Sequence, residues 1–422
     1  MTSENRNAGQ IFTQDRLAFF ALIVFIVYTQ YIQYVLISIP AMVTILGAVT
    51  ICVSILGIIK YSKKDIFVNE LYLFLLFFVV TLISGIIECQ SLSCHLSEWF
   101  GSFVYFLLIP SIMYIADTKK GIHNITSFYA LFSIVCAVTL IIRPVMYRET
   151  IYYDSMRYSL STNLNVNMLG LFFTFGCWCI LFLIGHKPKL KIIGYLCIAV
   201  LAYATIMTGS RKNLISLLMV LGLWFIMVWI PSNRHNFLVC IIGILILAGL
   251  GVYIYLNYYV GSSMSLRMAD MLDGTDNSNK TRLNMMLQCV ELFKQQPLFG
   301  WGFKGYSYYY YGNSAGYSHS TYAEVIACTG ALGTGIYIFM YIYSVIRVIR
   351  MIRYAKLLKN PELVNTLKMA LIIWVIILFL SVSMIFFYEL MCFIIWGYLF
   401  SIIRYAEIEI EKYYPVSVKI VI

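Results

Sequence analysis

Charge is what this chain has least of. Only 12% of its 422 residues are Asp, Glu, Lys or Arg, against 61% hydrophobic; an ordinary soluble domain is about a quarter charged. A fold in water could not cover so much apolar surface, so the solvent has to be lipid. The cysteines lack metal-ligand spacing. All but Cys89 and Cys94 sit in apolar or amphipathic stretches, where Cys acts as a small hydrophobe. Those two share one short loop, where an oxidising compartment would allow a structural disulfide. Also missing are a Gly-rich phosphate loop, an HExxH pair and a DxD in any outer loop, so nothing points to a nucleotide, a divalent metal or another cofactor. The short alternating strands of a membrane barrel are absent too, as are internal repeats and heptad arrays.

What is present is a series of apolar blocks of about 17–22 residues, each long enough to cross a bilayer as a helix. About twelve such spans are predicted, at 17–37, 40–59, 68–87, 99–116, 125–142, 166–185, 191–209, 213–230, 237–256, 320–346, 369–387 and 390–403. The first sixteen residues are polar and no small-residue cleavage site follows, so the first span reads as uncleaved. The fold expected is an all-α polytopic membrane helix bundle.

Basic clusters orient the spans. Lys60, Lys63 and Lys64, then Lys119 and Lys120, then Lys187, Lys189 and Lys191, and the run from Arg347 to Lys368 fall on one side if both termini are cytoplasmic. With that topology the whole net charge of +11 lies on the cytoplasmic side and the outer loops sum to zero. The basic balance therefore reports orientation and gives no reason to invoke nucleic acid.

Three regions follow: 1–256 with nine spans, a large extracytoplasmic loop at 257–319, and 320–422 with three spans and a cytoplasmic tail. A second outer loop runs from Arg143 to Asn165. In the large loop, Leu283, Met286, Leu287, Val290 and Phe293 recur at helical spacing, which predicts an amphipathic helix on the membrane surface, opened by Arg282 and stopped by Pro297. The tail residues Glu407, Glu409 and Glu411 read as a solvated helix end or a strand-like tail.

Basic residues on the outer side stand against the positive-inside trend. Arg211 lies in the short turn Thr208-Gly209-Ser210-Arg211, Arg282 opens the amphipathic helix, and His319 sits at the outer mouth of the next span with Glu324 on roughly the same face. Taken singly, such an arginine commonly snorkels to phosphate head groups, and Tyr308 to Tyr311 fit an interfacial aromatic belt. Taken together, they suit one chemistry. Arginines hold a diphosphate bidentately and stabilise it as a leaving group. A histidine takes a proton from a sugar hydroxyl near neutral pH, and tyrosines offer flat faces for sugar rings. Arginines that neutralise the leaving group let an inverting transfer run without a metal.

The stretch from Thr281 to Phe339 resembles the shared domain of O-antigen ligases and Wzy-type polysaccharide polymerases. The resemblance rests on Arg282, then Pro297-Leu298-Phe299-Gly300-Trp301-Gly302, then His319-Ser320-Thr321-Tyr322-Ala323-Glu324, then Thr329-Gly330-Ala331-Leu332-Gly333. Upstream, Gly209-Ser210-Arg211 is similar to the family's Ser-Arg turn, and Arg157 to Gly170 to its Arg-rich outer loop with an Asn-containing helix start. The family usually has Asn where this chain has Ser320. The resemblance implies a GT-C-like glycosyltransferase of the bacterial inner membrane, working extracytoplasmically with undecaprenyl-diphosphate-linked oligosaccharide as donor and acceptor. By carry-over, Arg211 and Arg282 would bind the lipid diphosphate, with Arg157 assisting. His319 would be the general base and Glu324 a supporting residue. A chain-length regulator is a candidate further partner. The polymerase is the reading preferred here, with an O-antigen ligase acting on lipid A–core as alternative. A lipid-linked sugar flippase is the competitor from another class, disfavoured because charge collects at span ends rather than mid-membrane.

Overall fold

The computed structural model describes residues 3–36, 38–61, 67–88, 91–147, 157–186, 188–232, 277–314 and 316–414. The span expected at 237–256, the first part of the large loop and Cys89 lie outside these residues. Backbone groups in hydrocarbon have to be satisfied within the segment, and the described chain is accordingly built of helices. These are α1 (Ser3–Val27, continued by a π turn at Tyr28–Ile32), α2 (Pro40–Lys60), α3 (Asn69–Glu88), α4 (Leu92–Phe106), α5 (Leu108–Ile115) and α6 (Lys119–Ile142). They are followed by α7 (Val166–His186), α8 (Lys191–Met207), α9 (Arg211–Trp224), α10 (Asn277–Gln295), α11 (Gly305–Tyr311), α12 (Thr321–Leu357), α13 (Pro361–Ser381) and α14 (Leu390–Glu411). Among the described residues, ten helical stretches are long and apolar enough to cross a membrane, and α8 is a shorter apolar helix. The chain is a multi-pass all-α membrane protein.

Two compact units divide the chain. One comprises residues 1–29, 39–124 and 280–422; the other comprises 30–38 and 125–279. In the first, α3 packs on α12, α5 on α14 and α2, and α13 on α12 and α14. Its core is aromatic: Phe74 stacks on Phe393 at 5.9 Å and meets Trp396 at 5.1 Å. At one end of these helices Arg347 of α12 is 2% exposed and bonds Glu70 of α3 and Glu407 of α14, each at 2.6 Å. Arg404 meets the same Glu407 at 2.7 Å. Glu407 is thus an internal counter-charge rather than part of a solvated helix end. In the second unit α7 packs on α8 and α9, and strands β1 (Val145–Met146) and β2 (Tyr158–Ser159) pair antiparallel.

Candidate active site

In the second unit the hairpin presents Arg157 to the turn between α8 and α9. Arg157 is 9% exposed. Its Nε donates to the Thr208 carbonyl at 3.1 Å and its Nη2 to Asn167 Oδ1 at 3.2 Å. Ser210 Oγ donates to the same Asn167 Oδ1 at 2.9 Å, and Asn213 Nδ2 reaches both the Asn167 carbonyl and Ser210 Oγ. A side chain on Gly170 would overlap Asn213, so that glycine lets α9 close on α7. Ser210 stands at the N-cap of α9, yet its hydroxyl is engaged with Asn167 and Asn213 instead of the helix's first N–H groups. Arg211 and Lys212 then occupy the first turn of α9, with no acid there. Cations at the positive end of a helix dipole cost about 0.3–1 kcal/mol each. An anion bound beside them would offset that cost.

In the first unit the feature that organises the site is a break in α12. Gly330 has φ 59 and ψ −161 in mid-helix, a conformation that is essentially glycine's alone. The break deprives Ala331 and Leu332 N–H of their helical acceptors, Ala327 and Cys328. The Pro297–Gly302 turn replaces both bonds from two sides. Trp301 and Gly302 N–H donate to the Ala327 and Cys328 carbonyls at 2.9 and 2.8 Å, while Ala331 and Leu332 N–H donate to the Pro297 and Leu298 carbonyls at 2.8 and 3.3 Å. Gly300, φ 70, lies so close that an added Cβ would overlap the backbone of Cys328–Gly330. The Pro-x-x-Gly-x-Gly pattern and the Gly-rich start of the next span are thus two halves of one backbone interlock.

His319 stands immediately before α12, at φ 62. For a residue with a Cβ this left-handed conformation costs about 1–2 kcal/mol. The residue is partly exposed, and its ring lies 4.3 Å from the Tyr317 ring between centroids. The flanking serines are buried: Ser320 caps α12 by accepting from Ala323 N–H, and Ser318 Oγ donates to the Ser320 carbonyl at 3.1 Å. Glu324, fully buried, accepts from Ser318 N–H at 2.7 Å through Oε2 and from the Tyr388 hydroxyl at 3.2 Å through Oε1. Glu324 therefore sits behind the His319 turn, as a support for its backbone.

Arg282 is placed differently from the sequence expectation. Helix α10 begins at Asn277, so Arg282 lies in its second turn rather than at its opening. The apolar stripe expected on the membrane surface mostly faces outward. Leu283, Leu287 and Val290 are exposed, at 58%, 55% and 42%, whereas Cys289 and Leu292 pack with Tyr306 and Ala327. Helix α10 is apolar on an outward face as well as on its packed one. The tyrosine run forms α11, between left-handed Lys304 and Gly312; Tyr309 and Tyr311 are exposed, and Tyr309 meets Trp301 edge-on at 5.1 Å.

His319 and Glu324 are thus brought together in one unit, which also holds Arg282; Arg157 and the turn that leads into Arg211 are brought together in the other. Sequence reasoning missed Tyr388 and Lys304, and met Asn167 and Asn213 only as parts of the Asn-containing helix start and the Arg211 turn, without a role. Lys304 N–H donates to Tyr388 Oη at 3.3 Å, and the Lys304 ammonium lies over the Tyr388 ring, 4.6 Å from its centroid. Neither Tyr388, one tyrosine among many, nor Lys304 carries a local signal.

The fold and these residues define a multi-pass membrane protein with a histidine turn ahead of α12, Arg282 in the second turn of α10, and Arg157 beside the turn that leads into Arg211. Residues 196–338 match the family described as O-antigen ligase, a stretch that includes Arg211, Arg282, His319 and Glu324 but not Arg157. The match supports the O-antigen ligase/polymerase superfamily and a glycosyl transfer of ligase or polymerase type, without separating the two. No curated protein matches the chain.

Proposed function

We propose that the chain is a polysaccharide polymerase, which joins undecaprenyl-diphosphate-linked oligosaccharide repeats on the outer face of the bacterial inner membrane. The observation that carries this reading is His319: a partly exposed histidine in a left-handed turn backed by a buried carboxylate, within the stretch that matches the ligase family. In the proposed step His319 takes the proton of an acceptor sugar hydroxyl. The oxygen attacks the donor's anomeric carbon, a glycosidic bond forms and the bond to the diphosphate breaks, with inversion. The departing diphosphate carries the charge that develops; the family resemblance assigns Arg282 and Arg211 to it, and Arg211 stands at a helix N-terminus, which favours an anion. Arg157 holds the turn from which Arg211 springs.

Replacing His319, Arg211 or Arg282 by Ala is expected to abolish long polymer at normal protein levels, measured by glycan length profiles in a deletion strain. Normal chain lengths in all three variants would sink the mechanism. The description of the matching family favours a second reading, transfer of finished glycan to lipid A–core. The deletion phenotype separates the two: single-repeat product follows loss of a polymerase, and lipid-linked long polymer follows loss of a ligase.

A further inference from the structure

We propose that Tyr388 is a positioning residue for the His319 base, acting through Glu324 to hold the left-handed turn that presents the imidazole. The inference rests on the reading of His319 given above. A strained backbone conformation persists only where its surroundings over-determine it. At His319 most of the restraint is local. Ser318 and Ser320 bond each other across it, Ser320 caps α12, and Glu324 reaches back one turn to Ser318 N–H at 2.7 Å. That last bond is the short one, and it is made by a side chain that needs its own support. A buried carboxylate with one oxygen unsatisfied is free to rotate toward a better partner and is costly to leave unpaired.

The second oxygen is satisfied from elsewhere in the chain. Tyr388 lies in the segment between α13 and α14, and its hydroxyl donates to Glu324 Oε1 at 3.2 Å. The segment itself is clamped to the first residue of α12: Thr321 N–H donates to the Met384 carbonyl at 3.0 Å, and Phe386 N–H donates to Thr321 Oγ1 at 3.0 Å. The same Tyr388 oxygen accepts from Lys304 N–H at 3.3 Å and lies 3.7 Å from Cys328 Sγ. Burial first, then the neighbouring Cys328 and Glu324, push the Tyr388 hydroxyl well above the usual tyrosine range, so it remains a donor. A chain of hydrogen bonds therefore runs from Lys304 N–H through Tyr388 and Glu324 to Ser318 N–H, next to His319. It links the turn that follows the Gly330 interlock to the backbone of the base.

The test uses the full-length protein in proteoliposomes, with lipid-linked single repeats extracted from the deletion strain as donor and acceptor. Tyr388→Phe should lower kcat about ten- to a hundredfold, with KM for the lipid-linked repeat and the thermal midpoint close to wild type. Glu324→Gln keeps an acceptor for Ser318 N–H but can meet Tyr388 only by donating its amide N–H to an oxygen that already accepts from Lys304 N–H. That turns the Tyr388 hydroxyl away from this side chain, so the variant should lower kcat in the same way. The double variant should be no slower than the slower single one, because both changes break the same chain. Wild-type kcat in Tyr388→Phe alongside an inactive His319→Ala overturns the positioning role and leaves the base intact. Full turnover in His319→Ala overturns the base, and the inference with it. If Tyr388→Phe does not fold, Glu324→Gln decides: unchanged kcat in that variant overturns the proposal, and a lowered kcat with unchanged KM supports it.

Discussion

At the scale of single residues, the charged side chains were legible because lipid makes them conspicuous. Arg211, Arg282 and His319 stand on the side that the positive-inside trend leaves poor in basic residues, and Glu324 and Arg157 came with them through helical spacing and the family resemblance. Their partners were not legible. Tyr388 is one of 34 tyrosines, and its contact with Glu324 spans 64 positions, a pairing that only the folded chain creates. Asn167 is similar. Its side-chain oxygen accepts from both Arg157 and Ser210, so removing it leaves a nearly buried guanidinium and a hydroxyl short of an acceptor. Asn167→Leu is expected to destabilise by about 2–3 kcal/mol, read as a lowered thermal midpoint in detergent. Asn167→Asp retains the acceptor and adds a charge of the right sign for Arg157, so it should be tolerated. Equal stability of the two variants would mean that this network does not hold the turn.

At the scale of elements, hydropathy located the spans well and their interruptions poorly. The helix expected over 320–346 runs from Thr321 to Leu357, and periodicity gives no sign that it is broken. Gly330 stands among other small residues, and sequence alone does not tell which glycine adopts positive φ. The structural answer lies thirty residues upstream, where a turn supplies the missing donors and acceptors. Gly330→Ala should therefore be severe. Backbone strain alone costs about 1–3 kcal/mol, and the new methyl would overlap the Leu298 backbone. The expected result is a sharp loss of folded protein from the membrane, followed by fluorescence-detected size exclusion. A Gly330→Ala protein with wild-type yield and thermal midpoint would show that the interlock is dispensable. Helix α10 carries the complementary lesson. The stripe expected on the membrane surface has Leu283, Leu287 and Val290 outward, but the spacing gave no sign of the second apolar face, where Cys289 and Leu292 pack with Tyr306 and Ala327.

At the scale of the whole chain, the sidedness inferred from charge is a prediction, and the contacts within the first unit say which helix ends lie together. The charge rule puts the starts of α3, α6 and α13 and the ends of α12 and α14 on one side, and these ends touch. Lys119 meets Glu362 at 2.6 Å, and Arg347 bonds Glu70 and Glu407. The ends assigned to the other side also find one another: Gln296 donates to Glu88 at 2.8 Å, and Thr321 N–H to the Met384 carbonyl at 3.0 Å. The contacts sort the ends into two sets, and the excess of lysine and arginine then predicts which set is cytoplasmic. In a chain whose native cysteines have been replaced, Tyr311→Cys, 44% exposed in α11, should react with a membrane-impermeant maleimide in intact spheroplasts. Leu357→Cys, 67% exposed at the end of α12, should react only after permeabilisation. The opposite labelling would place His319 on the cytoplasmic side and overturn the outer-face chemistry proposed for it. Labelling of both sites without permeabilisation would mean that the two sets of helix ends do not lie on opposite sides of the membrane.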